Sequence, residues 1–197
     1  AIDLSANSLS FAKRKAEELE IKNIDFVQMD LLDLENNEKK FDIIESVGVL
    51  HHMHNPYDGW KVLYNILNTD GLMMIGLYSK IAREHIERIR KKIKKLKIKI
   101  NENNIINLRE EIISSNTEDN KLIKESPDFY SLSSLRDLLF HVQEHKFNIT
   151  EINNFLKKTN LKFCGFENRE LIHLYKDTYK NKEDLYDLKL WHNFEIK

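Results

Sequence analysis

One cysteine, two prolines and five glycines are all that 197 residues hold of those three types, and 31 basic side chains nearly cancel 32 acidic ones. A lone Cys164 excludes an internal disulfide framework. The apolar runs are too short for a membrane helix, so no bilayer-spanning architecture is expected. A formal charge of −1 supplies no global field for nucleic acid or an anionic membrane, and any such preference must come from a local patch. No basic segment leads into an apolar stretch at the start, and a reducing, cytoplasmic setting is the expectation. With 41% hydrophobic and 32% charged residues, the balance is that of one globular domain with an elaboration.

Apolar spacing divides the chain. Ser5 can cap a helix whose Leu9, Ala12, Ala16 and Leu19 share one face. Residues 24–29 and 41–47 are short, apolar and β-prone. Asn55-Pro56 opens a second helix carrying Trp60, Leu63, Tyr64 and Leu67, and Asn68-Thr69-Asp70-Gly71 stops it. Residues 72–78 form a continuous apolar run suited to a strand covered on both faces. Strands alternating with helices of this length predict an α/β fold with a mostly parallel sheet and flanking helices. Residues 80–100 read as a long helix and the polar segment after them as the rest of a lid or insertion. Further on, residues 131–145 and 149–159 read as helices, 161–166 as a strand, and 175–197 as charged and aromatic without a clear period. The expected division is therefore 1–78, 79–127 and 128–197.

The candidate chemistry sits at strand ends. In an open parallel sheet ligands lie outside the carboxyl ends of the strands, and Asp3 and Asp30 close two successive strands 27 positions apart. Asp3 can accept both hydroxyls of a ribose, and Asp30 can accept from an exocyclic amine. The plainer alternative is that each acid only caps the segment after it.

Asp3-Leu4-Ser5, then Met29-Asp30-Leu31, then residues 41–53, then Asn68-Thr69-Asp70-Gly71 before a buried strand, resemble a class I S-adenosylmethionine-dependent methyltransferase over residues 1–78. Residues 128–133 and 138–145 are similar to bacterial methyltransferase domains often fused to tetratricopeptide repeats. The resemblance implies a Rossmann-like core with S-adenosylmethionine as cofactor. It implies Asp3 on the ribose, Leu4 packed on adenine, Asp30 and Leu31 at the adenine edge, and Ser46 with Val47 at the methionine end. Such enzymes open with a first strand and a glycine-rich turn that have no counterpart here. The expectation is thus a fragment whose sheet has a gap between the strands at Ile2 and Ile43, with apolar edges exposed.

His51 and His52 follow the strand that would face the methyl donor, where a histidine can serve as general base or simply shape the pocket floor. His141-Val142-Gln143-Glu144-His145 matches the His-x-x-Glu-His arrangement of a zinc peptidase class, but no paired motif supplies a third ligand, and no metal is expected. His141 and Glu144 are instead taken as substrate-side residues, with Tyr78 and Tyr130 flanking the insertion. Residues 80–99 hold ten Lys or Arg against two Glu, which suits a solvated lid or an anion-binding surface; they lack aromatics to stack bases, so nucleic acid is not expected. The function this implies is methyl transfer to an oxygen or nitrogen acceptor of unknown identity, in a protein carrying further repeat domains. A catalytically silent Rossmann-like binding module is one alternative. An NAD-dependent oxidoreductase is another, which would use Asp3 and leave Asp30 without a role.

Overall fold

Ser5 sets the entry to the first helix: its hydroxyl accepts from the Ser8 N–H at 3.1 Å, and α1 runs Ala6–Glu18 with Ala16 buried. The computed structural model describes residues 1–180 and 184–197, and the chain divides into two compact units, Ala1–Gly76 and Leu77–Lys197. In the first unit β1 (Ile2–Asp3) and β2 (Val27–Gln28) flank α1 and pair in parallel, Ile2 opposite Val27 and Asp3 opposite Gln28. A 3₁₀ turn over Leu31–Asn36 leads to β3 (Phe41–Val47), and a second over Leu50–His52 leads to α2 (Pro56–Asn65). β4 (Leu67–Gly76) then returns parallel to β3.

These alternations give the mixed α/β fold that the spacing predicts, with the Rossmann-like order that the resemblance implies. The strands form two parallel pairs, and among the described residues no ladder joins β1 to β3. Ile43, Val47 and Leu72 accordingly face solvent. The turn Asn68–Gly71 does not precede β4 but lies inside it. Phe41 pairs with Leu67 and Ile43 already with Leu72, so the intervening residues loop out as a bulge. The Asn68 side-chain amide donates to the Asp42 carboxylate at 2.7 Å, and Asp70 adopts φ +65°. α2 begins as read: Asn55 accepts from the Tyr57 N–H at 3.2 Å and Pro56 occupies its first turn. The helix buries Trp60, Val62 and Leu63 and packs on the Leu31–Asn36 turn. Gly59 lets the Met53 side chain approach closely, since a Cβ there would lie 2.3 Å from the Met53 sulfur and displace it.

The second unit is helical. α3 (Glu84–Lys95), α4 (Glu102–Ser114), α5 (Glu118–Glu125) and α6 (Leu132–Phe140) share one core, which includes Ile86, Ile93, Leu108, Ile112, Ile123 and Leu135. Two of these helices, α4 and α5, occupy the polar part of the stretch read as a helical lid or insertion. Residues 79–127 thus pack into the same core as α6. A second core joins α7 (Ile149–Lys158), α8 (Arg169–Thr178) and α9 (Leu188–Ile196). Its centre is aromatic: Trp191 stacks on Tyr175 with ring centroids 4.0 Å apart. No helix among the described residues is long and apolar enough to cross a membrane.

One expected element is absent and another is shorter than expected. Residues 161–166 form no strand, since Gly165 takes φ +126° and Phe163 and Phe166 turn inward, the latter with its ring 4.7 Å from that of Trp191. Cys164, between them, is exposed. The helix expected over 131–145 stops at Phe140. His141 and His145 therefore share no helical face, which removes the geometric premise of the zinc reading.

Candidate functional site

Parallel pairing of β1 with β2 brings Asp3 and Asp30 to the same carboxyl edge, with Met29 N–H donating to the Asp3 carbonyl at 3.2 Å. Each acid also caps locally. One Asp3 carboxylate oxygen accepts from the Ser5 N–H at 2.7 Å, and one of Asp30 accepts from the Leu32 N–H at 2.9 Å. The capping and ligand readings are compatible, because each carboxylate keeps a second oxygen with no partner among the described residues. Leu4 stands exposed beside Asp3, its carbonyl held by the Gln28 side-chain amide at 3.0 Å, while Leu31 is buried. An exposed leucine next to an acid at a strand end has the surface to pack against a planar group.

The end of β3, in the separate β3–β4 pair, carries the next candidates. Ser46 is buried and its hydroxyl has no hydrogen-bond partner among the described residues, whereas Val47 is exposed. A buried hydroxyl left without a partner costs about 1–3 kcal/mol, which a bound polar ligand would recover. Gly48 follows at φ +77°, turning the chain off the strand toward the 3₁₀ turn that holds both histidines. His51 is buried and His52 half-buried, their rings edge-to-face with centroids 4.2 Å apart. His51 is thus enclosed, and of the two rings His52 is the one that reaches solvent.

Three further candidates meet in the second unit. Tyr78, His141 and Glu144 line one cavity of about 570 Å³, together with Arg83, Asp128, Arg136 and Asp137. Tyr130 does not join them: it is exposed and its hydroxyl donates to the Lys124 carbonyl at 3.0 Å. Glu144 is 3% exposed and engaged on both oxygens. Arg83 grips it through two bonds of 2.9 Å and Arg90 adds a third at 3.0 Å. Burial alone would push the Glu144 carboxyl up, but the bonds and charges of Arg90 and Arg83 together hold it below the ordinary carboxylate range. Glu144 thus fixes two arginines.

Arg83 also lies over the Tyr78 ring, 3.8 Å from its centroid. Burial pushes the Tyr78 phenol above its ordinary value against the opposing charge of Arg83, so it remains a protonated donor. His141 caps α6, its Nδ1 accepts from the Gln143 N–H at 3.2 Å, and its Nε2 is 3.9 Å from Asp137. The reading of residues 80–99 as one basic stretch missed Arg83 and Arg90 as members of this site. No local signal marks them, since Glu144 lies 61 and 54 positions further on. Among the described residues no group of three or more His, Cys, Asp or Glu side chains is placed to hold a metal ion.

Residues 1–126 match a family model described as a methyltransferase domain. The chain belongs to the methyltransferase domain family. An uncharacterized protein of Synechococcus, syc1184_c, is 29% identical over 178 residues, 86% of this chain and 43% of that protein. The ubiquinone biosynthesis O-methyltransferase of Glaesserella parasuis is 31% identical over 90 residues, 43% of this chain and 38% of that enzyme. Among solved structures, PKMT2 from Rickettsia typhi in complex with AdoHcy superposes with a TM-score of 0.65 at 17% identity, over 98% of this chain and 40% of that one. A second structure of that protein gives a TM-score of 0.66 at 16% identity, with the same coverage. At these identities the structural likeness establishes the fold, which is the Rossmann-like class I methyltransferase architecture. The chain spans about two fifths of the length of the relatives it matches.

Proposed function

We propose that this chain is the S-adenosylmethionine-dependent part of a methyltransferase that methylates an oxygen or nitrogen acceptor. The observation that carries the reading is the shared edge of β1 and β2, where Asp3 and Asp30 each keep one carboxylate oxygen for a ligand. Asp3 accepts the two ribose hydroxyls. Asp30 accepts the adenine amine while the Leu31 N–H meets a ring nitrogen, and Leu4 covers the base. The buried Ser46 hydroxyl suits a polar group at the methionine end, beside Val47. The AdoHcy held by the structurally similar Rickettsia protein and the O-methyltransferase activity named for the Glaesserella relative support the same choice of cofactor and reaction.

Bound S-adenosylmethionine supplies a methyl group on a sulfonium, already a good leaving group. The protein therefore contributes alignment, which is worth up to roughly 7–11 kcal/mol, and proton removal where the acceptor carries a proton. His52 takes that proton, and His51 keeps its neighbour's ring in place from below. In the second unit, Tyr78 and His141 line a cavity suited to a polar ligand, on a scaffold fixed by Glu144 and its arginines.

Calorimetric titration of S-adenosylhomocysteine into this chain tests the assignment. Asp3→Ala is expected to weaken binding by about 1–3 kcal/mol. Unchanged affinity would remove the ribose role, and tighter binding of NADH than of S-adenosylhomocysteine would favour the oxidoreductase reading.

A further inference from the structure

The end of α3 carries a run of lysines, most of which the fold leaves without an acidic partner among the described residues. Between Glu87 and Glu102 the sequence has no acid. Cations on the flanks of α3 are matched by neighbouring helices: Lys92 pairs with Glu111 of α4 at 2.5 Å and Arg88 with Asp119 of α5 at 2.7 Å. Lys91, Lys94, Lys95, Lys97 and Lys99 are exposed, and none has an ion-pair partner among the described residues.

Local geometry gathers these lysines at one tip. Ile86, Ile89 and Ile93 turn the apolar stripe of α3 into the core, so Lys91 and Lys95 point the opposite way. The helix closes with Lys97 at φ +54°, its N–H on the Lys94 carbonyl and the Ile98 N–H returning to the Ile93 carbonyl at 3.2 Å. That reversal packs Ile98 against the core and leaves Leu96 and Ile100 outside, 56% and 49% exposed among the lysines. The Asn104 side-chain amide holds the Lys99 carbonyl at 2.9 Å, which fixes the hook.

We propose that this hook, residues 91–100, is a docking surface for an anionic lipid bilayer. Five unmatched lysines fall in the range that attracts a polybasic segment to acidic headgroups, and each adds to the attraction while it lies near the surface. Leu96 and Ile100 are aliphatic and sit where the lysines approach the headgroups, so they enter the interface while the lysine stems stretch outward. The hook offers no aromatic ring for a base to stack on, which sets it apart from a single-stranded nucleic-acid surface. The contact rests on the lysines and Leu96, none of which lines the cavity of Tyr78, His141 and Glu144, although Ile100 does.

Flotation of the whole chain with phosphatidylcholine vesicles, with and without about a third phosphatidylglycerol, tests it; the anionic mixture is expected to carry the chain and neutral vesicles to leave it behind. The triple variant Lys91→Gln, Lys95→Gln, Lys97→Gln is expected to lower partitioning about 100-fold with an unchanged circular dichroism spectrum. Leu96→Ser with Ile100→Ser is expected to abolish the part of the binding that survives raised salt. Equal flotation with both vesicle types, or an unaffected triple variant, overturns the proposal. So does tighter binding to a duplex or single-stranded oligonucleotide than to anionic vesicles at the same salt, or salt-resistant binding that ignores the serine substitutions.

Discussion

Ala1–Gly76 and Leu77–Lys197 use their large apolar residues in opposite ways. In the first unit the strands carry Ile43, Val47 and Leu72 into solvent, and the buried hydrophobic set is small: Ala16, Leu31, Ile44, Leu50, Trp60, Val62, Leu63 and Ile66. In the second, two separate clusters enclose the apolar stripe of nearly every helix, one aliphatic and one centred on Tyr175 and Trp191. Helices satisfy their backbone internally and need only one covered stripe, whereas a strand of a parallel sheet presents two faces and an edge. Similar hydrophobicity therefore closes a helical unit on itself and leaves a short-stranded one with unspent surface.

Each unit holds one of the two tryptophans, Trp60 and Trp191, so fluorescence of single-tryptophan variants separates their unfolding. The contrast breaks most sharply at Glu144. Replacing it by Gln leaves Arg83 and Arg90, both largely buried, without their anion, and should cost the second unit about 3–5 kcal/mol in urea denaturation. The same group sets a pH dependence. Its carboxyl is held below the ordinary range when folded, so its contribution is complete above the unfolded value and is lost as pH falls through the folded one. Acid titration followed at Trp191 should show that loss, and Glu144→Gln should flatten it.

A smaller effect is expected in the first unit. Leu50 is fully buried, and Leu50→Ala should cost about 2–5 kcal/mol at the Trp60 transition while leaving the Trp191 transition in place. The smallest is expected at Ile43. Although a strand isoleucine, it is 73% exposed, and Ile43→Ser should shift stability by no more than about 0.5 kcal/mol while reducing self-association in light scattering. A large loss there would mean that β3 is covered in solution.

Local signals carried much of the fold. Ser5 and Asn55-Pro56 start helices where their side chains say they should, because a cap is a contact within a few residues. The α4 stripe of Ile105, Leu108 and Ile112 was equally legible in its spacing but was hidden by the polar composition around it. What failed depended on distant partners. Nothing between Phe140 and His145 forbids a helix; the chain leaves it where Glu144 turns to arginines more than fifty positions away. Residues 161–166 have strand composition, yet their phenylalanines are drawn onto Trp191. At the candidate site, the acids at the ends of β1 and β2 could be read from order and spacing, while the Arg83–Tyr78 stack and the unsatisfied Ser46 hydroxyl exist only once the chain is folded.

The exposed Cys164 gives the chain a built-in ruler. It is the sole thiol and belongs to the second unit, so one dye can be attached there without altering any other side chain. With Trp191 changed to phenylalanine, Trp60 becomes the only indole donor, fixed in the first unit. Energy transfer between the two then reads a distance from one unit to the other, and titrating S-adenosylhomocysteine during that measurement asks whether binding changes it.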